Sequence, residues 1–208
     1  MQHSRVYCTV RACRHPRYAS SWPTSRRFQA IWRTTGSSWK TAITTAARVG
    51  AHWIVTSELI IPGYTFADRI GTAWIQPQPD PWMKHVGQLA ARLGMTVFLS
   101  HPEEDRRSKA LYNSVFVIAA DETITGAHRK INTLRVGSES WSSPGEDAVP
   151  VPVHPLGNVG ILICAGAFAP GIAGSLKTQG TRMLVSSAAW APGLHGLEWW
   201  VGAWHERL

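Results

Sequence analysis

From about residue 38 onward the apolar positions fall into short runs and stripes separated by turn residues. Residues 40–49 place Ala42, Ile43, Ala46 and Ala47 on one face of a helix, with Gly50 as its stop. Trp53–Thr56 is a short apolar run between turn signals and predicts a buried strand. Over Pro81–Leu93 the residues Trp82, Val86, Leu89, Ala90 and Leu93 recur at helical spacing, and Gly94 ends the pattern. Residues 96–100 read as a strand, and 113–120 and 123–128 flank Asp121-Glu122 as a hairpin. Residues 159–163 form another apolar strand that runs directly into Cys164. A helix over 172–179 and a strand at Met183–Ser187 follow. Strands alternating with helices, plus one internal hairpin, predict an α/β layered domain.

Before residue 38 the pattern loses any period of 2 or 3.6, apart from a short alternation at 6–10 that would suit a strand. The charge is concentrated there too. Of the net +8, the first 50 residues carry nine bases and no acid, while the rest is close to neutral, with 12 bases against 13 acids. The basic character therefore describes an appendage, and residues 1–37 are expected to be a segment separate from a domain over 38–208. An Arg-rich, Ser-rich, acid-poor start also fits an organellar transit segment, and its interleaved Trp residues would suit nucleic acid or anionic lipid. Trp22-Pro23 and Gly36-Ser37-Ser38 interrupt any amphipathic helix, so a segment selected for neither role ranks first.

The 208 residues suit one domain, able to bury a core without staples. Three cysteines exclude a disulfide framework and point to a reducing compartment. No apolar run approaches the ~20 residues of a membrane helix. The nine histidines include no pair at zinc-ligand spacing, and there is no Cys-x-x-Cys, P-loop, dinucleotide fingerprint or Gly-x-Ser-x-Gly elbow.

Four chemistry-bearing residues stand at the ends of predicted strands, where open α/β sheets place active groups. They are Glu58, Lys130, Glu139 and Cys164. Singly, each fits an ordinary role: a solvated loop acid, surface charge, or a small buried hydrophobe in the case of the cysteine. Together, their surroundings say more. Glu58 lies in Trp53-Ile54-Val55-Thr56-Ser57-Glu58-Leu59-Ile60-Ile61-Pro62-Gly63-Tyr64. Lys130 follows Tyr112-Asn113-Ser114 and sits in Gly126-Ala127-His128-Arg129-Lys130. Glu139 precedes Ser143-Pro144-Gly145, and Cys164 closes Val159-Gly160-Ile161-Leu162-Ile163-Cys164, with Ser186-Ser187-Ala188-Ala189-Trp190 beyond. In this order and spacing, residues 45–195 resemble the nitrilase, or carbon–nitrogen hydrolase, superfamily.

The resemblance implies a four-layer α-β-β-α sandwich, here incomplete at its C-terminal end, and a homo-oligomer joined through its helical faces. It implies a triad falling on Glu58, Lys130 and Cys164, with Glu139 positioning substrate and lysine. The thiolate would be the nucleophile, Glu58 its base, and Lys130 a donor to the oxyanion. No metal or organic cofactor is implied. The substrate would be a small amide, nitrile or N-carbamoyl compound, with Tyr64, Trp141 and Trp190 as pocket residues or as plain core. Two family acids are replaced, by Gly166 and by Gly171 after Pro170. Their absence, with two ends that depart from the family pattern, leads to the expectation of a truncated or frame-altered copy. A silent homologue serving as a binding or partner subunit, and an N-acyltransferase with the same triad, remain as alternatives. Nucleic-acid binding ranks last, and a cytoplasmic location is expected ahead of a mitochondrial one.

Overall fold

The computed structural model describes residues 9–10, 39–133, 137–169 and 171–189. The strand anticipated at 6–10 falls there only in part, as β1 (Thr9–Val10); it pairs in parallel with β2 (Trp53–Thr56). Between them, the helix α1 covers at least 39–48 and buries Trp39, Ile43 and Ala46, the stripe its spacing predicts. A one-turn helix, α2 (Phe66–Ile70), is short enough to have left no periodic signal.

The helix α3 (Pro81–Leu93) matches its predicted bounds because both ends are written into the sequence. Asp80 accepts from the Met83 N–H at 2.7 Å, Pro81 opens the first turn, and Gly94 takes the left-handed conformation that stops it. The most buried face is rotated slightly from the expected stripe. Met83, Val86, Gly87 and Ala90 are buried, while Trp82, Leu89 and Leu93 pack at its margins.

The strands β3 (Thr96–Glu104), β4 (Leu111–Ile118) and β5 (Ile124–Arg129) follow. β3 runs four residues past the expected end, and β4 is displaced two residues toward the N-terminus. The cause is their mutual pairing: Glu104 lies opposite Leu111, so a hydrophilic stretch is drawn into the ladder by its partner. The first sheet has the order β1-β2-β3-β4-β5, parallel through β3 and antiparallel beyond it. The second has the order β6 (Val151–Val153), β7 (Gly157–Ile163), β8 (Met183–Ser187). The helix α4 (Ile172–Thr178) precedes β8 and ends one residue earlier than its pattern suggests.

Alternation along β3 and β4 sorts the core into layers. Val97, Leu99, Phe116 and Ile118 face α1 and α3. Phe98, Val115 and Val117 point the other way, against Val151, Val159, Ile161, Ile163 and Val185 of the second sheet. Beyond that sheet Leu162, Ala167 and Leu176 seat α4. The described residues thus form an α-β-β-α sandwich with the two sheets face to face. Gly126 of the first sheet faces Val151 of the second; a Cβ at Gly126 would lie 2.8 Å from both valine methyls. Among the described residues no helix is long and apolar enough to cross a membrane.

His128, buried on β5 opposite Val115, is held neutral by burial, which lowers its pKa from 6.5 to about 4. A base with a depressed folded-state pKa stabilises the fold fully above the unfolded value and progressively less as pH falls from 6.5 toward 4. The loss should reach up to about 3 kcal/mol. Melting temperature measured between about pH 4 and pH 7 should therefore fall more steeply for the native chain than for His128→Gln, and parallel curves would reject this assignment.

Candidate active site

Three of the four sequence-predicted residues follow directly from strand ends. Lys130 comes immediately after β5, Cys164 immediately after β7, and Glu58 two residues after β2. Glu139 closes a short 3-10 turn, Gly137–Glu139. All four side chains are at least nine-tenths buried.

Lys130 is at their centre. Its Nζ lies 2.8 Å from Glu58 Oε1 and 2.6 Å from Glu139 Oε1, with all three side chains closed off from solvent. The main chain fixes where this ammonium can be. The Lys130 N–H donates to the Asn113 carbonyl at 2.8 Å, and the Lys130 carbonyl accepts from Gly145 N–H at 2.8 Å. A Cβ at Gly145 would sit 2.5 Å from the Arg129 oxygen, so only glycine permits that approach. Glu58 is set by a comparable device. Leu59 adopts φ 49°, a left-handed conformation unusual for a branched side chain, and its N–H donates to Ser100 Oγ at 2.9 Å. Ser100 N–H donates in turn to Thr56 Oγ1 at 2.8 Å.

Asn113, quoted in a motif but assigned no role on sequence grounds, joins the cluster. Its Nδ2 donates to Glu58 Oε1 at 2.8 Å and to Glu139 Oε1 at 3.1 Å. The second oxygen of each carboxylate has its own donor: Ala189 N–H reaches Glu58 Oε2 at 3.2 Å, and the Tyr64 hydroxyl reaches Glu139 Oε2 at 3.3 Å. The Asn113 Oδ1, by contrast, is buried with no partner, a loss of about 1–3 kcal/mol.

Burial alone would pull the Lys130 ammonium down, but attraction to Glu58 and hydrogen bonds to both carboxylates hold its pKa above the ordinary value. Cys164 goes the opposite way. Burial first, then the charge of Glu58 and a hydrogen bond to it, push the thiol up to about 12, against the weaker pull of Lys130. The resting nucleophile candidate is therefore a neutral thiol beside a carboxylate. Its backbone is held at φ 45° at the start of the 3-10 turn Cys164–Phe168. Strained φ values of this kind collect at functional turns. Asn132 Nδ2, just beyond Lys130, donates to the Ala165 carbonyl at 3.3 Å and links the two segments.

Of the expected pocket residues, Tyr64 is tied to Glu139, and burial followed by the Glu139 charge raises its pKa above the ordinary tyrosine value. Trp141 packs edge-on against Phe66 at 5.0 Å, in a cluster with Leu59 and Ile75 beside the site. Trp190 lies outside the described residues. No side chain fills the space a Cβ would occupy at Gly166 or Gly171, where two acids were expected. Among the described residues no group of three or more His, Cys, Asp and Glu is arranged to hold a metal ion.

Removing the central charge strands two buried carboxylates. Lys130→Met should lower stability by about 3–5 kcal/mol at neutral pH. Urea unfolding measures the loss, and an unchanged midpoint would contradict the buried ion cluster.

The carbon–nitrogen hydrolase family model matches residues 27–203. No curated protein sequence matches the chain significantly. Among solved structures, Nit3 of Saccharomyces cerevisiae, titled a member of branch 10 of the nitrilase superfamily, is 20% identical with a TM-score of 0.66; the match covers 76% of this chain and 59% of that one. A carbon–nitrogen hydrolase of Helicobacter pylori is 18% identical at TM-score 0.66, covering 83% and 62%. An amidase of Nesterenkonia sp. is 18% identical at TM-score 0.63, covering 76% and 59%. At these identities the likeness is one of fold, and the chain spans about three fifths of the length of the structures it matches.

Proposed function

The chain belongs to the carbon–nitrogen hydrolase family, and on that premise we propose that it hydrolyses a non-peptide C–N bond of a small amide, nitrile or N-carbamoyl compound through Cys164. The observation that carries the reading is the buried Cys164 thiol at a strand exit beside the Glu58 carboxylate, which is itself paired with the buried Lys130 ammonium.

A thiol pushed up to about 12 supplies almost no thiolate at neutral pH, so attack needs a base in contact with it. Glu58 takes the proton as sulfur bonds to the substrate carbon. The proton moves between neighbours, so the buried cluster keeps its total charge, a transfer that costs far less than creating a new ion out of water. The carbonyl π electrons move onto oxygen, and that oxyanion meets the Lys130 proton left over after its two carboxylate contacts, with backbone N–H groups following Cys164. Protonated Glu58 then returns its proton to the departing nitrogen as the C–N bond breaks, which leaves a thioester and ammonia or an amine. Water, deprotonated by Glu58, attacks the thioester. Its collapse releases the carboxylic acid, and the proton held by Glu58 restores the Cys164 thiol. With a nitrile the same attack forms a thioimidate. Tyr64, hydrogen-bonded to Glu139, and Trp141, packed in the same apolar cluster, are assigned here to the wall that receives the apolar part of a small substrate.

Ammonia release from a panel of amides, nitriles and carbamoyl compounds tests this. Cys164→Ala should reduce it by about a thousandfold or more, and Glu58→Gln by a similar factor, since members of one catalytic unit fail together. Release that persists in Cys164→Ala would reject the mechanism. Absence of release from a cooperatively melting native sample would favour a silent homologue.

A further inference from the structure

Asn113 belongs to the buried cluster, yet the reaction above gives it no step. Its Nδ2 contacts Oε1 of Glu58 and Oε1 of Glu139, the same two oxygens that Lys130 Nζ contacts. Carboxylates only accept, so the amide must turn its nitrogen toward them and its oxygen away. That oxygen is then left buried and unpartnered. The arrangement forgoes one hydrogen bond and gains two donors on the carboxylate pair.

We infer that Asn113 is a positioning residue, whose uncharged amide clamps both carboxylates onto Lys130 and so leaves one ammonium proton free to face the substrate. The inference rests on the proposed hydrolysis. Its chemical content is the absence of charge. Two ionised carboxylates and one ammonium carry a net negative charge, which suits Glu58 to accept the thiol proton; a second cation at position 113 would cancel it. A neutral double donor fixes the geometry and leaves that charge in place. The main chain of the same residue accepts from Lys130 N–H at 2.8 Å, so one strand position sets both the backbone and the side-chain partners of the lysine.

The test compares the native chain with Asn113→Asp, isosteric but with both donors replaced by acceptors, and Asn113→Ser, which keeps one donor. Two readouts are followed against pH: kcat and KM for an amide that the native chain turns over, and the rate of Cys164 alkylation by iodoacetamide. For Asn113→Asp, kcat should fall about a hundredfold, as expected for a misplaced reacting group, with KM little changed. The acid limb of its rate profile should move up by about one pH unit, because a third carboxylate favours the protonated form of its neighbours. The inflection in alkylation should move in the same direction, and Asn113→Ser should fall between the two. A folded variant with the native pH profile would overturn the inference, whether its rate is unchanged or merely lower, since a packing role alone leaves the profile in place. Should Asn113→Asp fail to fold, Asn113→Ser decides by the same criteria. Should the native chain turn over no amide, alkylation decides alone: a shifted inflection upholds Asn113 while the hydrolase reading fails, and an unshifted one overturns the inference.

Discussion

The Lys130 ammonium lies out of water between two carboxylates, and the surrounding structure answers the demands of that arrangement. Three ions removed from solvent are tolerable only if they pair closely and the carboxylate oxygens find further donors in good geometry. The partners come from four separated stretches of chain: the β2–α2 loop that carries Glu58 and Tyr64, Asn113 on β4, the turn that carries Glu139, and Ala189 beyond β8. No single element could supply them. The face-to-face sheets bring strand ends from both to one edge, where main-chain and side-chain donors converge on the buried carboxylates.

The same constraint accounts for the local oddities of the backbone. Leu59 and Cys164 both adopt left-handed φ, one immediately after Glu58 and the other at the thiol. Each turns the chain sharply at a strand exit, so that a side chain which would have continued along the sheet is aimed across it. The conformations are unfavourable in isolation and persist because the flanking strands are fixed on both faces by buried side chains. Gly145 belongs to this pattern from the opposite direction: the absent side chain lets a distant loop close on the Lys130 carbonyl.

What could be read in the sequence follows from which signals are local. Pro81–Leu93 carries its own cap, first-turn proline and stop, and Met183–Ser187 opens on three apolar residues soon after Gly180, so both have the predicted bounds. β6 was missed because it has three residues, with Pro152 in the middle, and exists through its pairing with β7. The extension of β3 to Glu104 was missed for a related reason, since its partner strand dictates it. In the candidate site, Glu58, Lys130 and Cys164 were legible because each stands in a recognisable run at a strand exit, and Glu139, in a 3-10 turn, through its place in the order of motifs. Asn113 stood in such a run too, but nothing local distinguishes an asparagine that spans two distant carboxylates from one that faces solvent. Tyr64 was expected as part of a pocket wall; its hydroxyl contact with Glu139, 75 residues away, depends on a fold that no local pattern encodes.

The contact between Ala189 N–H and Glu58 joins residues 131 positions apart, and Ser187 Oγ reaches the Thr56 carbonyl across the same span. During synthesis the chain emerges from its amino end at about 5–20 residues per second. The segment bearing Glu58 would therefore wait on the order of ten seconds for the one that completes its hydrogen bonding. Over that interval the nascent first sheet holds an acidic group with an unfilled oxygen and an uncovered apolar face, the condition under which a ribosome-bound chain depends most on chaperones.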